Sequence, residues 1–353
     1  MLKFDLSFYR GKRVLLTGHT GFKGSWMSKV LCDAGAELVG YSTCREREPS
    51  LFELADVEAK MLASVKGDVR DLEHMLEVFR KYQPEIVIHM AAQPIVRTSY
   101  EQPVYTYETN VMGTVNVMEC IRQTASVRSF LNVTTDKVYK NNEWCWGYRE
   151  DEPLDGYDPY SNSKSCSELV THSYACSFFS KRDIAISTAR AGNVIGGGDF
   201  SRDRIIPDCV RAVSECTDIV VRNPYSTRPF QHVLEPVMAY LMIAARQYED
   251  SSLAGWYNVG PDECDCVCTG ELVDIFCEKW GEGAKWVNIS EQNAVHEANF
   301  LKLDCSKIKS VYGWQPVWHI ADAIEKTCEW TKVWMADGDV PAVMSAQIEE
   351  FCR

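Results

Sequence analysis

The sequence predicts an α/β chain: a doubly wound parallel sheet followed by a smaller, discontinuous α+β lobe toward the C-terminus. Three observations predict it. The candidate strands are apolar throughout rather than alternating, which marks strands buried on both faces. They alternate with amphipathic helical stretches as far as residue 196. A glycine-rich turn, "LLTGHTGFKGSW" (15–26), separates the first strand from the first helix.

The elements follow in order. "RVLLTG" (13–18) is an apolar run ending in glycine, and "WMSKVLCDAG" carries helical periodicity up to a glycine stop at Gly35. Strands are expected over 36–42, 64–69, 84–92, 128–135, 183–196 and 255–260. Helices are expected over 71–82, 107–123, 160–178 and 235–248. After residue 196 the alternation loosens into "GGGDFSRDRIIPDCV" and "RNPYSTRPFQHV", whose Arg, Gly, Pro and aromatic content suits loops that grip a ligand. The sheet domain is therefore assigned to 1–192 and 231–262, and the lobe to 193–230 and 263–353.

Composition narrows the classes. The 353 residues suffice for a sizeable core, and 46% hydrophobic with 25% charged residues is ordinary for a globular protein. A net charge of -13 argues against a nucleic-acid backbone binder, although local arginines can still hold one anionic small molecule. No apolar run reaches membrane-span length, and "MLKFDLSFYRGKR" lacks a signal-peptide core, so a soluble cytoplasmic protein is expected. The fifteen cysteines read as reduced small hydrophobes. In the densest group, "CDCVC", alternate spacing on a strand would put Cys264, Cys266 and Cys268 on one face. With neither CxxC nor HxxxH near them, no metal site is assigned.

The opening glycine stretch fails as a nucleotide P-loop, because Lys23 precedes Gly24 instead of following it. What remains is Gly18, Gly21 and Gly24 in strand–turn–helix context. That arrangement lets the backbone approach a pyrophosphate, which then rests on the free N–H groups of the helix. Further along, "YSNSK" puts Tyr160 and Lys164 one helical turn apart. A cation at that spacing stabilises a phenolate, and so adapts tyrosine to general-base work. Upstream, "NVTTDK" ends a strand in hydroxyls, so Thr134 or Thr135 can donate to the oxygen that Tyr160 deprotonates.

The glycine triplet, "MAAQP", Asn110 in "TNVMGT", and the Tyr160–Lys164 pair together resemble the extended short-chain dehydrogenase/reductase superfamily, from residue 13 to about 330. "TTDKVY", "WGYRE", "DPYSNSK", "RAGNVIGGGD", "RPFQHVLEP" and "HEANFLKLDCSK" narrow the resemblance to its sugar-nucleotide dehydratases acting on CDP-glucose. The resemblance implies a Rossmann-type fold and a tightly held NAD. It also implies C4 oxidation of the sugar, loss of water across C5 and C6, and hydride return to C6. Tyr160, Lys164 and Thr135 are then placed at C4. In the related dTDP-glucose enzymes the next two residues are Asp and Glu, acid and base. Here they are Asp136, an acid if its pocket is dry, and Lys137, a base only when neutral or else an ion-pair or phosphate contact.

The cofactor set implied is Gly18, Thr20, Gly21, Phe22, Lys23, Gly24, Asp68, Val69, Ala91, Ala92, Gln93 and Asn110, with Tyr160 and Lys164. Asp68 also reads as a helix N-terminal acid. The second strand ends in Ser42, Thr43 and Arg45 where an acid usually meets the ribose, which leaves NADP open beside NAD. Asn193, Arg204, Arg222 and Arg228 suit the diphosphate, Tyr225 or Phe230 the base, and His296 with Glu297 the pocket wall. His89 reads as a core histidine. A homodimer or homotetramer is expected, formed through the helix that carries the Tyr–Lys pair. Two other readings stay open. One is another sugar-nucleotide enzyme, either a C4-epimerase, which eliminates nothing and has no use for Asp136, or a GDP-mannose 4,6-dehydratase. The other is a non-catalytic dinucleotide sensor, which would have no use for the Tyr–Lys pair.

Overall fold

A computed structural model describes residues 4–43, 49–289 and 300–353. Arg45, His296 and Glu297 lie outside the described residues. Six strands come in chain order: β1 (Arg13–Thr17), β2 (Glu37–Ser42), β3 (Ala63–Lys66), β4 (Ile86–His89), β5 (Ser129–Thr135) and β6 (Ala185–Ala191). A seventh, Trp256–Val259, pairs in parallel with β6 at the edge. The spatial order is Trp256–Val259, β6, β5, β4, β1, β2, β3, with every pairing parallel. The chain winds outward from β1 to β3, then returns to place β4 on the other side of β1. The crevice at that reversal is where a doubly wound sheet binds ligands.

Strand residues alternate between two cores, as a period of two requires. Val14, Leu16, Ile86, Ile88 and Leu131 face one layer, built with Trp26, Met238 and Phe351. Leu15, Val87 and Phe130 face the other, built with Phe79, Val117 and Ile121. Each such side chain contributes about 1.5–3 kcal/mol when fully buried. The first layer takes in the helices Phe22–Asp33 and Leu234–Glu249, and the second takes in Leu72–Tyr82 and Gly113–Gln123. A third, smaller core joins Ile195, Ile206 and Phe230 to Leu272, Phe276 and Ile324, so the lobe draws on two separated stretches of chain.

The stretch after residue 262, where the sequence shows no clear period, forms helices Thr269–Trp280, Ser306–Tyr312, Ile320–Met335 and Val340–Cys352. The period is diluted because the buried face of Ile320–Met335 mixes Ile324 and Trp330 with Thr327, Cys328 and Thr331. Met344 and Phe351 of the last helix join the sheet's own core, although the sequence assigns that segment to the lobe. "CDCVC" does not form one strand: Glu263–Asp265 is a tight turn, and only Val267–Cys268 pairs, antiparallel to Thr227–Arg228. Among the described residues no helix is long and apolar enough to cross a membrane.

Candidate active site

The glycine turn is built by the absence of side chains. Gly18 has φ +75°, and a Cβ there would stand 2.9 Å from the Ala91 nitrogen, because the turns after β1 and β4 abut. A Cβ on Gly24 would stand 2.1 Å from the Gly18 carbonyl oxygen. Gly21 precedes the helix Phe22–Asp33 in an extended conformation, leaving the helix's first N–H groups directed at the crevice. The imidazole of His19 lies across β2, where a Cβ on Gly40 would meet its ring at 2.3 Å. His19 bonds Ser64 Oγ at 2.9 Å, and burial pushes its pKa down to about 4, which keeps it neutral.

From this turn one continuous pocket runs in two directions. One end passes Ser42 and Thr43 to Gly67, Asp68 and Val69, and the other reaches Tyr160 and Lys164. Thr20 Oγ1 bonds Ser42 Oγ at 2.9 Å and fixes the end of β2. Asp68 is gripped by Arg70, whose Nη2 donates at 2.7 Å and whose guanidinium lies 4.9 Å over the Tyr105 ring. The acid that caps the following helix is Asp71, which accepts from His74 N at 3.1 Å, so Asp68 is left on the pocket wall. A groove whose floor admits no Cβ at Gly18 or Gly24, with a polar wall at each end, has the shape a dinucleotide requires.

At the other end, the C-terminus of β5 sorts its hydroxyls. Thr134 turns inward and donates to Glu168, whose carboxylate also accepts from Thr188 at 2.7 Å and pairs with Arg190 at 3.0 Å. Thr135 turns to the reaction side, where it is hydrogen-bonded to Tyr160 and donates to Asp136 Oδ1 at 2.9 Å. Burial pushes the Tyr160 phenol up to about 12, opposed by the Thr135 bond. Lys164 donates to the Val133 carbonyl at 3.1 Å, and burial with Lys23 nearby brings it down to about 7. Burial likewise takes Lys23 down to about 8. Asp136 is buried and raised above the ordinary carboxylate range, chiefly by desolvation, with the adjacent Lys137 charge acting against it. Among the described residues its Oδ2 has no hydrogen-bond partner, and Gly192 approaches so closely that a Cβ would lie 3.1 Å from that oxygen. Lys137 is only partly buried beside it.

The remaining expected residues divide by position. Gly18, Thr20, Gly21, Phe22, Lys23, Gly24, Asp68, Val69, Ala91 and Ala92 line the pocket, whereas Gln93 and Asn110 stand behind it. Asn110 Oδ1 accepts from Gln93 N at 2.8 Å while its Nδ2 donates to Ser163 Oγ at 2.9 Å, bracing the wall against the Tyr160–Lys164 helix. Arg204 lines the pocket and pairs with Asp199 at 3.0 Å. Arg228 is buried and acts on Asp136. Arg222 is half-exposed and meets Asp203 at 3.3 Å, the same carboxylate oxygen that Arg97 reaches at 3.3 Å. Asn193 is partly buried, Phe230 belongs to the lobe core, and Tyr225 is exposed. His89 is a core residue bonded to Thr17 Oγ1 at 2.7 Å. Sequence reasoning missed Tyr105, Thr109 and Ser201 on the pocket wall: Tyr105 stands in no motif, and Thr109 and Ser201 lie in quoted stretches where Asn110 and Arg204 carried the signal.

The chain matches the family model for GDP-mannose 4,6 dehydratase over residues 15–327. It is 44% identical to CDP-glucose 4,6-dehydratase of Salmonella typhimurium, across 98% of each chain. It is 24% identical to CDP-paratose 2-epimerase of Salmonella typhi, across 90% of this chain and 99% of that protein. Its fold is similar to dTDP-glucose 4,6-dehydratase of Streptomyces venezuelae, solved with NAD, at TM-score 0.79, 22% identity and coverage of 93% and 99%. UDP-glucose 4-epimerase of Thermotoga maritima superposes at TM-score 0.80 with 19% identity, covering 91% and 99%. A parallel sheet reversing at β1 and β4, a glycine floor, a Tyr–Lys pair beside a buried acid, and a family match spanning most of the chain converge: this protein belongs to the GDP-mannose 4,6 dehydratase family of sugar-nucleotide enzymes.

Proposed function

We propose that this chain converts CDP-D-glucose to CDP-4-keto-6-deoxy-D-glucose and water, and so opens a route to CDP-linked deoxysugars. The observation that carries the reading is the buried acid Asp136, set one residue after the threonine that bonds Tyr160. The relative at 44% identity supports the choice of CDP-glucose.

The glycine floor and the helix N-terminus fit the pyrophosphate of NAD, with Thr20, Asp68 and Val69 toward the adenosine and Tyr160 and Lys164 toward the nicotinamide ribose. When bound, NAD supplies the hydride acceptor for C4 and the donor for C6. Tyr160, whose phenol would come down from about 12 beside a bound nicotinamide cation, takes the C4 hydroxyl proton, helped by Thr135, which meets the phenol and would donate to the same substrate oxygen. The ketone so formed acidifies the C5 proton, which Lys137 would receive in its neutral amine form, its ammonium proton having first left to solvent. Asp136, whose burial favours the protonated carboxyl, gives its proton to the departing C6 hydroxyl. Asn193, Arg204 and Arg228 hold the diphosphate, with Arg222 at the rim. An epimerase, which eliminates nothing, would have no use for a buried acid at this place.

We also place the protein in the cytoplasm, where free thiols persist. Exposed Val104, Met112, Leu169 and Phe178, on the helices around Tyr160, support a homodimer or homotetramer. The testing experiment incubates the protein and NAD separately with CDP-glucose, dTDP-glucose, GDP-mannose and UDP-glucose, and reads products by mass. Loss of one water from CDP-glucose alone is the expected result. Inversion at C4 without water loss would instead make it an epimerase.

A further inference from the structure

The motif "CDCVC" is not absorbed by the chemistry above, and the fold gives it a partner from far along the chain. The turn Glu263–Asp265 abuts the start of helix Ile320–Met335. There Asp265 Oδ1 accepts from Ile320 N at 3.0 Å, while its Oδ2 meets His319 Nδ1 at 2.9 Å and Cys264 Sγ at 3.6 Å. The three donor atoms, Sγ, Oδ2 and Nδ1, all lie within 4.8 Å of one another. In a tetrahedral zinc site, metal–ligand bonds of about 2.0–2.3 Å set ligand atoms roughly 3.3–3.7 Å apart. Small side-chain movements bring this set to that geometry.

The surroundings favour a cation. Asp265 is buried and fixed, with its other oxygen committed to the helix, while Cys264 and His319 are exposed and reachable from solvent. Asp262, Asp265 and Asp322 are the carboxylates acting on His319. The positive end of the helix, which would repel a metal, is offset by two of them: Asp265 holds Ile320 N, and Asp322 accepts from His319 N at 3.0 Å. The other two cysteines of the motif are engaged elsewhere. Cys266 Sγ faces the Asp262 carbonyl at 3.7 Å, and Cys268 Sγ caps the next helix by accepting from Glu271 N at 3.4 Å.

We propose that Cys264, Asp265 and His319 bind one zinc ion per chain, with solvent as the fourth ligand. The ion staples the loop after the edge strand to the helix Ile320–Met335. On binding, the Cys264 thiol releases its proton to solvent, the Nδ1 proton that faces Asp265 leaves for solvent or is exchanged to Nε2, and the freed Nδ1 lone pair meets the metal; nothing is oxidised or reduced. The dehydration chemistry does not depend on the site.

The test uses the full chain freed of metal with a chelator, then titrated with zinc by calorimetry and with cobalt(II) by absorption. Expected are about one equivalent per chain, a thiolate-to-cobalt charge-transfer band with tetrahedral d–d bands, and a rise in Tm on adding zinc. Cys264→Ser removes the charge-transfer band, and His319→Ala weakens zinc at least about tenfold. Cys266→Ser leaves both unchanged. Circular dichroism confirms that the variants are folded. Wild-type protein that takes up no zinc, or a cobalt–thiolate band that survives Cys264→Ser, overturns the proposal.

Discussion

The floor of the cofactor pocket and the arginine-rich loops facing it do opposite kinds of work. Around Gly18 and Gly24 the site is made by missing atoms: backbone lies where any Cβ would collide with backbone. Around residues 199–228 it is made by charge already in use. Arg204 leans on Asp199, while Arg97 and Arg222 share Asp203, so on the proposed reading an arriving diphosphate would exchange one anion for another. Shape tolerates no intermediate values, whereas exchange of ionic partners is graded. Substitutions in the two regions should differ accordingly.

The largest effect lies where the two regions meet. Tyr160→Phe should lower kcat about 100- to 10,000-fold while leaving NAD affinity near wild type, read by steady-state turnover against binding calorimetry. Equal losses in both would mean that Tyr160 holds the pocket together rather than acting on C4. Gly24→Ala comes next. Its methyl would stand 2.1 Å from the Gly18 oxygen, and overpacking of about 1–3 kcal/mol, if it falls on the bound state, corresponds to NAD bound roughly 5- to 150-fold more weakly. A smaller loss would show that the floor can shift, and would erase the contrast with the loops. Arg222→Ala should raise KM for the sugar nucleotide by less than about tenfold and leave kcat alone, since a half-exposed arginine is screened by water.

The smallest effect is on stability. Lys164 and Lys23 have folded values near 7 and 8, below the ordinary lysine value of 10.5. Above those folded values the unfolded chain binds more protons than the folded one, so ligand-free stability rises with pH through that window. Tm by scanning calorimetry should be about a degree higher at pH 8 than at pH 7, below the range where the buried thiols, raised from 9.0, act in the opposite sense. Lys164→Met should flatten most of that slope; an unchanged slope would place its origin elsewhere.

The two regions also differ in how much the sequence discloses. The β1–glycine–helix unit is legible because its constraint is local: three glycines, a strand before and a helix after. Tyr160 and Lys164 are legible because one helical turn aligns them. Thr134 and Thr135 are not separable in sequence, because what divides them is Glu168, set by β6 and Arg190 to claim the first and leave the second. Gln93 and Asn110 sit inside recognisable motifs, yet Asn110 spends its hydrogen bonds on the Gln93 backbone and Ser163, and the Gln93 side chain on Thr106 and Ile95, behind the wall. The C-terminal helices stay hidden because threonine and cysteine on their buried faces blur the apolar period. The meeting of Cys264 with His319 follows from tertiary packing alone.

The imidazole of His19 resting on Gly40 carries a consequence for descent. The two residues belong to different elements, yet neither can be replaced independently. A side chain at position 40 needs the ring at position 19 gone first, and a small residue at 19 opens a void beneath Ser64 that a larger residue at 40 would fill. Across related chains the two positions should therefore change as a pair, so that the glycine on β2 keeps a record of which residue occupied the first turn.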